Sequence, residues 1–278
     1  MSLLKLLKKA FHAWMKDKAP RMGAALAFYT VFSLAPLLIL VIAVGGLFFG
    51  ESVAQTQIIT QIAALIGQEG GQAVATLIEA ARRPSSGVLA TIIGILTLLI
   101  GSTGALVELQ DGLNRVWKVR DDTGFAILLR QRLMSLALIL GIAFLLLVSL
   151  VVSAIIAALG TFVSGHVPAT EWFWHGSDFI VSCAVVTVLF AMIFKILPDT
   201  SVRWNDVWIG ATATSILFTL GKFLMGLYIG KSAITSAYGA AGSFVVVLMW
   251  VYYSAVLLYY GAEFTKAYAD AYGSRKDS

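Results

Sequence analysis

Charge is scarce in this sequence. Only 13% of its 278 residues are Asp, Glu, Lys or Arg, about half the share that keeps an ordinary soluble domain in water. The segments Gly23–Phe49 and Leu133–Val163 hold none at all. A water-facing surface is excluded there, and hydrocarbon is the solvent that tolerates such runs. Cysteine is nearly absent as well: Cys183 stands alone inside an apolar run, so no intramolecular disulfide can form and the thiol reads as a small packing group. The three histidines, His12, His166 and His175, are scattered. His166 and His175 share one connection with Glu171, but Pro168 stands between them and no third ligand is near, so a metal site is not expected. No Gly-x-x-x-x-Gly-Lys-[Ser/Thr] loop occurs to cradle a nucleotide. Without convergent carboxylates or a nucleophile beside a base, the sequence predicts no enzyme and no cofactor.

What is present is a series of apolar segments: Gly23–Phe49, Val88–Val107, Leu133–Val163, Ser177–Leu197, Val207–Ile229 and Ala240–Phe264. Each is long enough to cross a bilayer as a helix. The third would reach about 46 Å against a hydrocarbon core of about 30 Å, so it must tilt or project. The first is about twice the length of a signal-peptide core and is read as a retained span. The expected fold class is therefore all-α, a single polytopic helix bundle of about six spans.

Orientation follows from the basic residues. Of the 20 Lys and Arg, Arg82, Arg83 and Lys231 fall on one side and Lys222 lies inside a span; all others fall on the N-terminal segment, 108–132, 195–206 and the tail. Basic connections stay cytoplasmic, which places both termini inside. The +5 formal charge thus reads as topology facing anionic headgroups, not as a nucleic-acid site. Trp14, Trp117, Trp172, Trp174, Trp204 and Trp208 fall at the expected interfaces, and Trp250 falls mid-span.

The connections carry structure of their own. Leu3, Leu7, Phe11 and Trp14 share one helical face, with Lys5, Lys8, Lys9 and Lys16 on the others. Within residues 1–20 this predicts a helix that either lies on the cytoplasmic leaflet or packs on the rest of the protein. Residues 50–87 are too polar to cross, yet Ile58, Ile62 and Leu65 share a face, as do Val74, Leu77, Ile78 and Ala81. Two outer amphipathic helices broken near Gly67–Gly71 are expected, as a cap on the bundle or a lid over an opening. Gly226 with Gly230, Gly23 with Ala27, and Ala90 with Gly94 are small-xxx-small pairs that let membrane helices approach closely.

Ionisable residues at bilayer depth are the candidate site, because each costs several kcal/mol unless paired or wet. Lys222 lies in the outer half of the fifth span, and Asp178, at similar depth on the fourth, is its expected partner. Glu108, Asp111, Lys195 and Glu263 stand at inner ends of spans. They either ring an inner vestibule or form interfacial salt bridges that fix helix ends. Pro36 follows Tyr29, Thr30 and Ser33 and frees the carbonyl of Phe32, predicting a kink in the first span.

Four motifs occur in order at span boundaries. They are Ala24-Ala25-Leu26-Ala27-Phe28-Tyr29 leading to Phe32-Ser33-Leu34-Ala35-Pro36; Leu113-Asn114-Arg115-Val116-Trp117; Leu197-Pro198-Asp199 with Trp204 and Gly210; and Tyr238-Gly239-Ala240-Ala241-Gly242-Ser243. Together they resemble the YihY/BrkB family of bacterial inner-membrane proteins, some of which carry an old ribonuclease BN label. The resemblance runs nearly end to end and implies a six-span bundle with both termini inside. It implies no catalytic residues. A metal-dependent ribonuclease needs several His and Asp ligands, and the inner side of this chain offers His12 alone. The leading expectation is a transporter or exporter of an anionic lipid or envelope metabolite. The alternative is a non-transporting scaffold that recruits partner proteins.

Overall fold

The computed structural model describes residues 3–66, 68–81, 104–119, 141, 171–231 and 242–275. Among these residues every regular element is an α-helix. In chain order they are α1 (Leu3–Lys16), α2 (Ala19–Phe49), α3 (Glu51–Ile66), α4 (Gln68–Ala81), α5 (residues 104–117), α6 (Glu171–Ile196), α7 (Trp204–Lys231) and α8 (Gly242–Ala271). The expected first, fourth, fifth and sixth spans lie on α2, α6, α7 and α8. The expected second and third spans lie outside the described residues, apart from the start of α5 and position 141.

The last helix is the hub, packed against α1, α2, α4 and α7. Its contact with α7 is an antiparallel interlock of glycine and threonine. Gly210 on α7 lies under Thr265 on α8, and Gly261 on α8 lies under Thr214 on α7, so close that a Cβ on either glycine would overlap the threonine. Each threonine hydroxyl donates to the carbonyl one turn earlier on its own helix, Thr214 to Gly210 and Thr265 to Gly261, both at 2.7 Å. The two buried hydroxyls are thereby satisfied without a partner across the interface. Further along, Gly221 takes the Tyr253 ring, and the Tyr253 hydroxyl donates to the Leu217 carbonyl at 3.5 Å. On the other flank of α8, Gly23 of α2 faces Val256, again with no room for a larger residue.

Two helices among the described residues are long and apolar enough to cross a membrane, Trp204–Met225 and Phe244–Ala271. Only 33% and 39% of their most apolar windows are buried inside the protein. A core helix of a soluble domain would be mostly covered. Here Ile216, Leu220, Phe223 and Leu224 stand 57–65% exposed, and each forgoes roughly 1.5–3 kcal/mol of burial if its surroundings are water. Phe28, Phe32 and Leu47 on α2 are exposed in the same way.

α2 begins after Lys18, which adopts the left-handed conformation (φ 57°, ψ 38°) and accepts hydrogen bonds from the N–H groups of Arg21 and Met22. Pro20 fits the first turn, where its missing N–H has no intrahelical partner to lose. The helix then runs unbroken to Phe49, position 36 included, so Pro36 does not end it. Gly50 (φ 84°) turns the chain into α3. The left-handed strain at Lys18 costs about 1–2 kcal/mol, part of which glycine gives back through its unfolded-state entropy. Lys18→Gly is therefore expected to stabilise the protein by about 0.5–1 kcal/mol, read as a small rise in the thermal midpoint in detergent.

α3 and α4 form a pair laid on the far half of α2 and on α8. Val74 and Ile78 are buried with Ile42, Ala54 and Val247, while Gln72, Thr76 and Glu79 face outward. α1 divides its apolar face. Leu6 and Ala10 pack on Phe264 and Ala267 of α8 with Leu7 beside them, and the Trp14 indole donates to the Val256 carbonyl at 3.1 Å. Leu3, Leu4, Phe11 and Met15 remain exposed beside Lys8 and His12. The helix thus packs on the protein with one stripe and offers a second to its surroundings.

Candidate functional site at the basic end

One buried cluster joins the α1–α2 turn, α5, the α6–α7 connection and the last part of α8. Ala19, Met22, Leu113, Trp117, Phe194, Leu197, Val202, Val207, Tyr259 and Ala262 all belong to it. Element ends rich in Lys and Arg are therefore gathered at one end of the bundle, around α5.

The C-terminus of α5 is closed by Lys118, again left-handed (φ 56°), with the Val119 N–H reaching back to the Asn114 carbonyl at 2.9 Å. The Lys266 ammonium of α8 donates to the Val116 carbonyl at 2.5 Å. A cation on the last carbonyls of a helix is the favourable end of its dipole. One turn before Lys266, Glu263 is 1% exposed and faces Asp17, Lys266 and Lys118. Its Oε1 has no hydrogen-bond partner among the described residues. Glu108 and Asp111 lie on the opposite side of this interface, near Tyr259. Burial pushes the Glu108 carboxyl above the usual range, Asp111 adds to the rise and Arg115 opposes it.

A second set of contacts holds the α6–α7 connection. Asp199 Oδ2 accepts from Gln110 Nε2 at 3.0 Å and from Asn114 Nδ2 at 2.9 Å, and the Asp199 N–H donates to Asn114 Oδ1 at 2.8 Å. Nearby, Asp206 Oδ2 accepts from the N–H and hydroxyl of Ser274, at 3.1 and 2.7 Å. This brings the end of α8 onto the start of α7. The Arg275 guanidinium donates to Thr200 Oγ1 at 2.9 Å and lies over the Trp117 ring, 5.0 Å from its centre. Trp117 is thus buried against the protein, 3% exposed, and does not present its indole to the surroundings. Its position at the end of α5, under Arg275, is the reason. Between these elements opens a cleft of about 500 Å³ lined by Lys195, Ser201, Val202, Arg203, Trp204, Ser274 and Arg275.

The six charged candidates fall in three places. Glu108, Asp111 and Glu263 share the α5–α8 interface, the first two by Tyr259 and the third one turn further along α8. Lys195 stands apart in the cleft, its ammonium on the Val202 carbonyl and 5.6 Å from the centre of the Trp204 ring. Lys222 is half-buried on α7. Cys183 meets Ser215 and Thr219 across the antiparallel α6–α7 contact, and this register sets position 178 level with Lys222. The Asp178 side chain lies outside the described residues. At the expected kink, Ser33 is buried and Tyr29 exposed, and both border Gly104 at the start of α5. The side chain of Pro36 is outside the described set.

Asp199, Asn114, Gln110, Asp206, Ser274 and Arg275 were not singled out as site residues from the sequence. Asn114 and Asp199 do stand inside two of the motifs that carried the resemblance. Nothing in the spacing signals that residues 85 positions apart hold each other, and that fact belongs to the fold.

Among known proteins, the family model described as virulence factor BrkB matches residues 10–278 of this chain. A UPF0761 membrane protein of Aromatoleum aromaticum is 27% identical over 258 residues, covering 90% of this chain and 60% of that protein. One from Pseudomonas aeruginosa is 25% identical over 269 residues, covering 90% and 59%. YfkH of Bacillus subtilis, which carries a ribonuclease-like name, is 24% identical over 270 residues, 94% of each chain. The chain spans about three-fifths of the length of the UPF0761 relatives it matches. No solved structure matches it.

Proposed function

Because the chain belongs to the virulence factor BrkB family, we propose that it is an integral protein of the bacterial inner membrane that transports or exports an anionic lipid or envelope metabolite. In this reading it spans the bilayer about six times, with both termini cytoplasmic and the basic end at the inner leaflet. The membrane-protein names of its relatives and the exposed apolar flanks of α7 and α8 support the placement. The observation that carries transport is Glu263. A buried acid at the α5–α8 interface, with one oxygen lacking a hydrogen bond among the described residues and two lysines beside it, exceeds what fixing a helix end requires. The backbone register that sets position 178 level with Lys222 leaves room for a second ionisable pair along the same bundle.

The rival reading is a scaffold, favoured by the tight α7–α8 interlock, which resists sliding. We read the chain as non-enzymatic. The ribonuclease-like name is that of the YfkH relative.

Purified protein in liposomes is expected to accelerate the movement of fluorescent phosphatidylglycerol between leaflets. Glu263→Gln, still monodisperse in detergent, is expected to lose at least about tenfold of that rate, as is Lys222→Ala. Wild-type protein that moves neither this lipid nor other anionic lipids, together with variants that leave cells unaffected, removes the transport reading and leaves the scaffold.

A further inference from the structure

Among the described residues, the cleft at the start of α7 is lined by three cationic side chains, Lys195, Arg203 and Arg275, and by the serines 201 and 274, with no carboxylate among them. Asp206, which accepts at its Oδ2 from Ser274 of this wall, is buried. Lys195 is held by the Val202 carbonyl and the Trp204 ring, and Arg275 by Thr200 and Trp117. Both cations are thus fixed before any ligand arrives, and the Arg275 fork keeps further N–H donors. Three positive groups converging on a cleft of this size suit a phosphate, which guanidinium groups recognise with paired hydrogen bonds.

The surface leading away from the cleft has a different character. Trp204, Trp208, Thr212, Ile216, Leu220 and Leu224 recur every four residues along α7, and all are exposed. The Trp204 and Trp208 rings lie 6.2 Å apart at the head of this stripe, the position that indoles take at the headgroup level. A cationic cleft that continues into an apolar track has the shape of an amphiphile.

We propose that the cleft is a binding site for the phosphate of an anionic phospholipid, with the acyl chains lying along the α7 stripe. Lipid, not free phosphate, is the source because the track begins at the cleft mouth. The site rests on the membrane placement above but not on transport, since a lipid can be held without being moved.

The test is binding of short-chain phosphatidylglycerol and phosphatidylcholine to the full chain in detergent, counted by native mass spectrometry, with inorganic phosphate as a third probe. Phosphatidylglycerol is expected to bind at least about tenfold more tightly than phosphatidylcholine, and millimolar phosphate to compete weakly. Arg203→Gln and Arg275→Gln are each expected to lower phosphatidylglycerol affinity about tenfold and to lower that of phosphatidylcholine, whose phosphate carries its own ammonium counter-charge, by less. Arg203 is exposed and makes none of the side-chain contacts described above, so its variant should keep the fold. Equal binding of both lipids, or unchanged affinity in folded Arg203→Gln, overturns the site. Phosphate binding as tight as that of the lipid overturns the lipid assignment. A chain that stays monodisperse without detergent sinks the membrane placement itself, an outcome distinct from a chain that needs detergent yet shows no lipid preference.

Discussion

Gly261→Leu is expected to yield no monodisperse protein from detergent, and Gly210→Leu the same. A Cβ at Gly261 would already overlap Thr214, and one at Gly210 would overlap Thr265. The atoms in the way include the threonine Cβ as well as its Oγ1 and Cγ2, so no rotamer change opens the space. Overpacking a core by a methylene or two costs about 1–3 kcal/mol. A leucine places four carbons between helices pinned at both ends of their contact, by Gly221 against Tyr253 and by Asp206 against Ser274. The helices must part, and with them the α8 hub.

The cause can be isolated with smaller changes. Gly261→Ala should lower the thermal midpoint clearly, and Thr214→Gly in the same chain should recover most of the loss, despite the roughly 1 kcal/mol that glycine costs in a helix. Thr214→Ala alone should cost little, because the hydroxyl bonds only within its own helix. If the double variant falls further than Gly261→Ala, the two residues do not interlock as described.

Much of the bundle was legible because hydrocarbon imposes a blunt rule on sequence: long uncharged runs become helices. That rule located α2, and nearly uncharged runs located α6, α7 and α8; the break expected near Gly67–Gly71 falls at its first residue, since α3 ends at Ile66 and α4 begins at Gln68. It was silent on which helices touch. Gly210 and Gly261 were not among the small-xxx-small pairs picked out from the sequence, because the partner of each glycine is a threonine on another helix and not a second glycine on its own. Trp117 stands at a span end, where an indole is expected to meet the surroundings, and the fold instead buries it under Arg275.

The charged site divided in the same way. Depth along the chain placed Glu108, Asp111, Lys195 and Glu263 at one end, and the register of α6 on α7 set position 178 level with Lys222. Depth does not fix azimuth. Lys195 therefore faces the cleft on the α7 side, while Glu263 faces the α5–α8 interface.

The second large effect is expected at a residue that exposure alone would dismiss. Asp199 is exposed, yet its Oδ2 is the acceptor for two buried amides, Gln110 and Asn114. Asp199→Ala strands both, and each hydrogen bond to a charged group is worth about 1.5–3 kcal/mol, so a loss of about 3–6 kcal/mol is expected. Asn114→Ala should cost less. It removes a donor whose acceptor can take water instead, although the Asp199 N–H also loses Asn114 Oδ1. Asp199→Asn keeps the shape and one acceptor oxygen without the charge, and should fall between them. Thermal midpoints in detergent give the ranking. Protease cutting within residues 197–203 should rise in the same order, since this clasp ties that connection to α5. Because Val202 and Arg203 lie on that connection and line the cleft, phosphatidylglycerol affinity should fall alongside stability in Asp199→Ala at temperatures where the chain remains folded. An Asp199→Ala protein as stable as the parent would mean that the two amides find other partners and that the connection is held by Leu197 and Val202 together with the Lys195–Val202 and Arg275–Thr200 contacts.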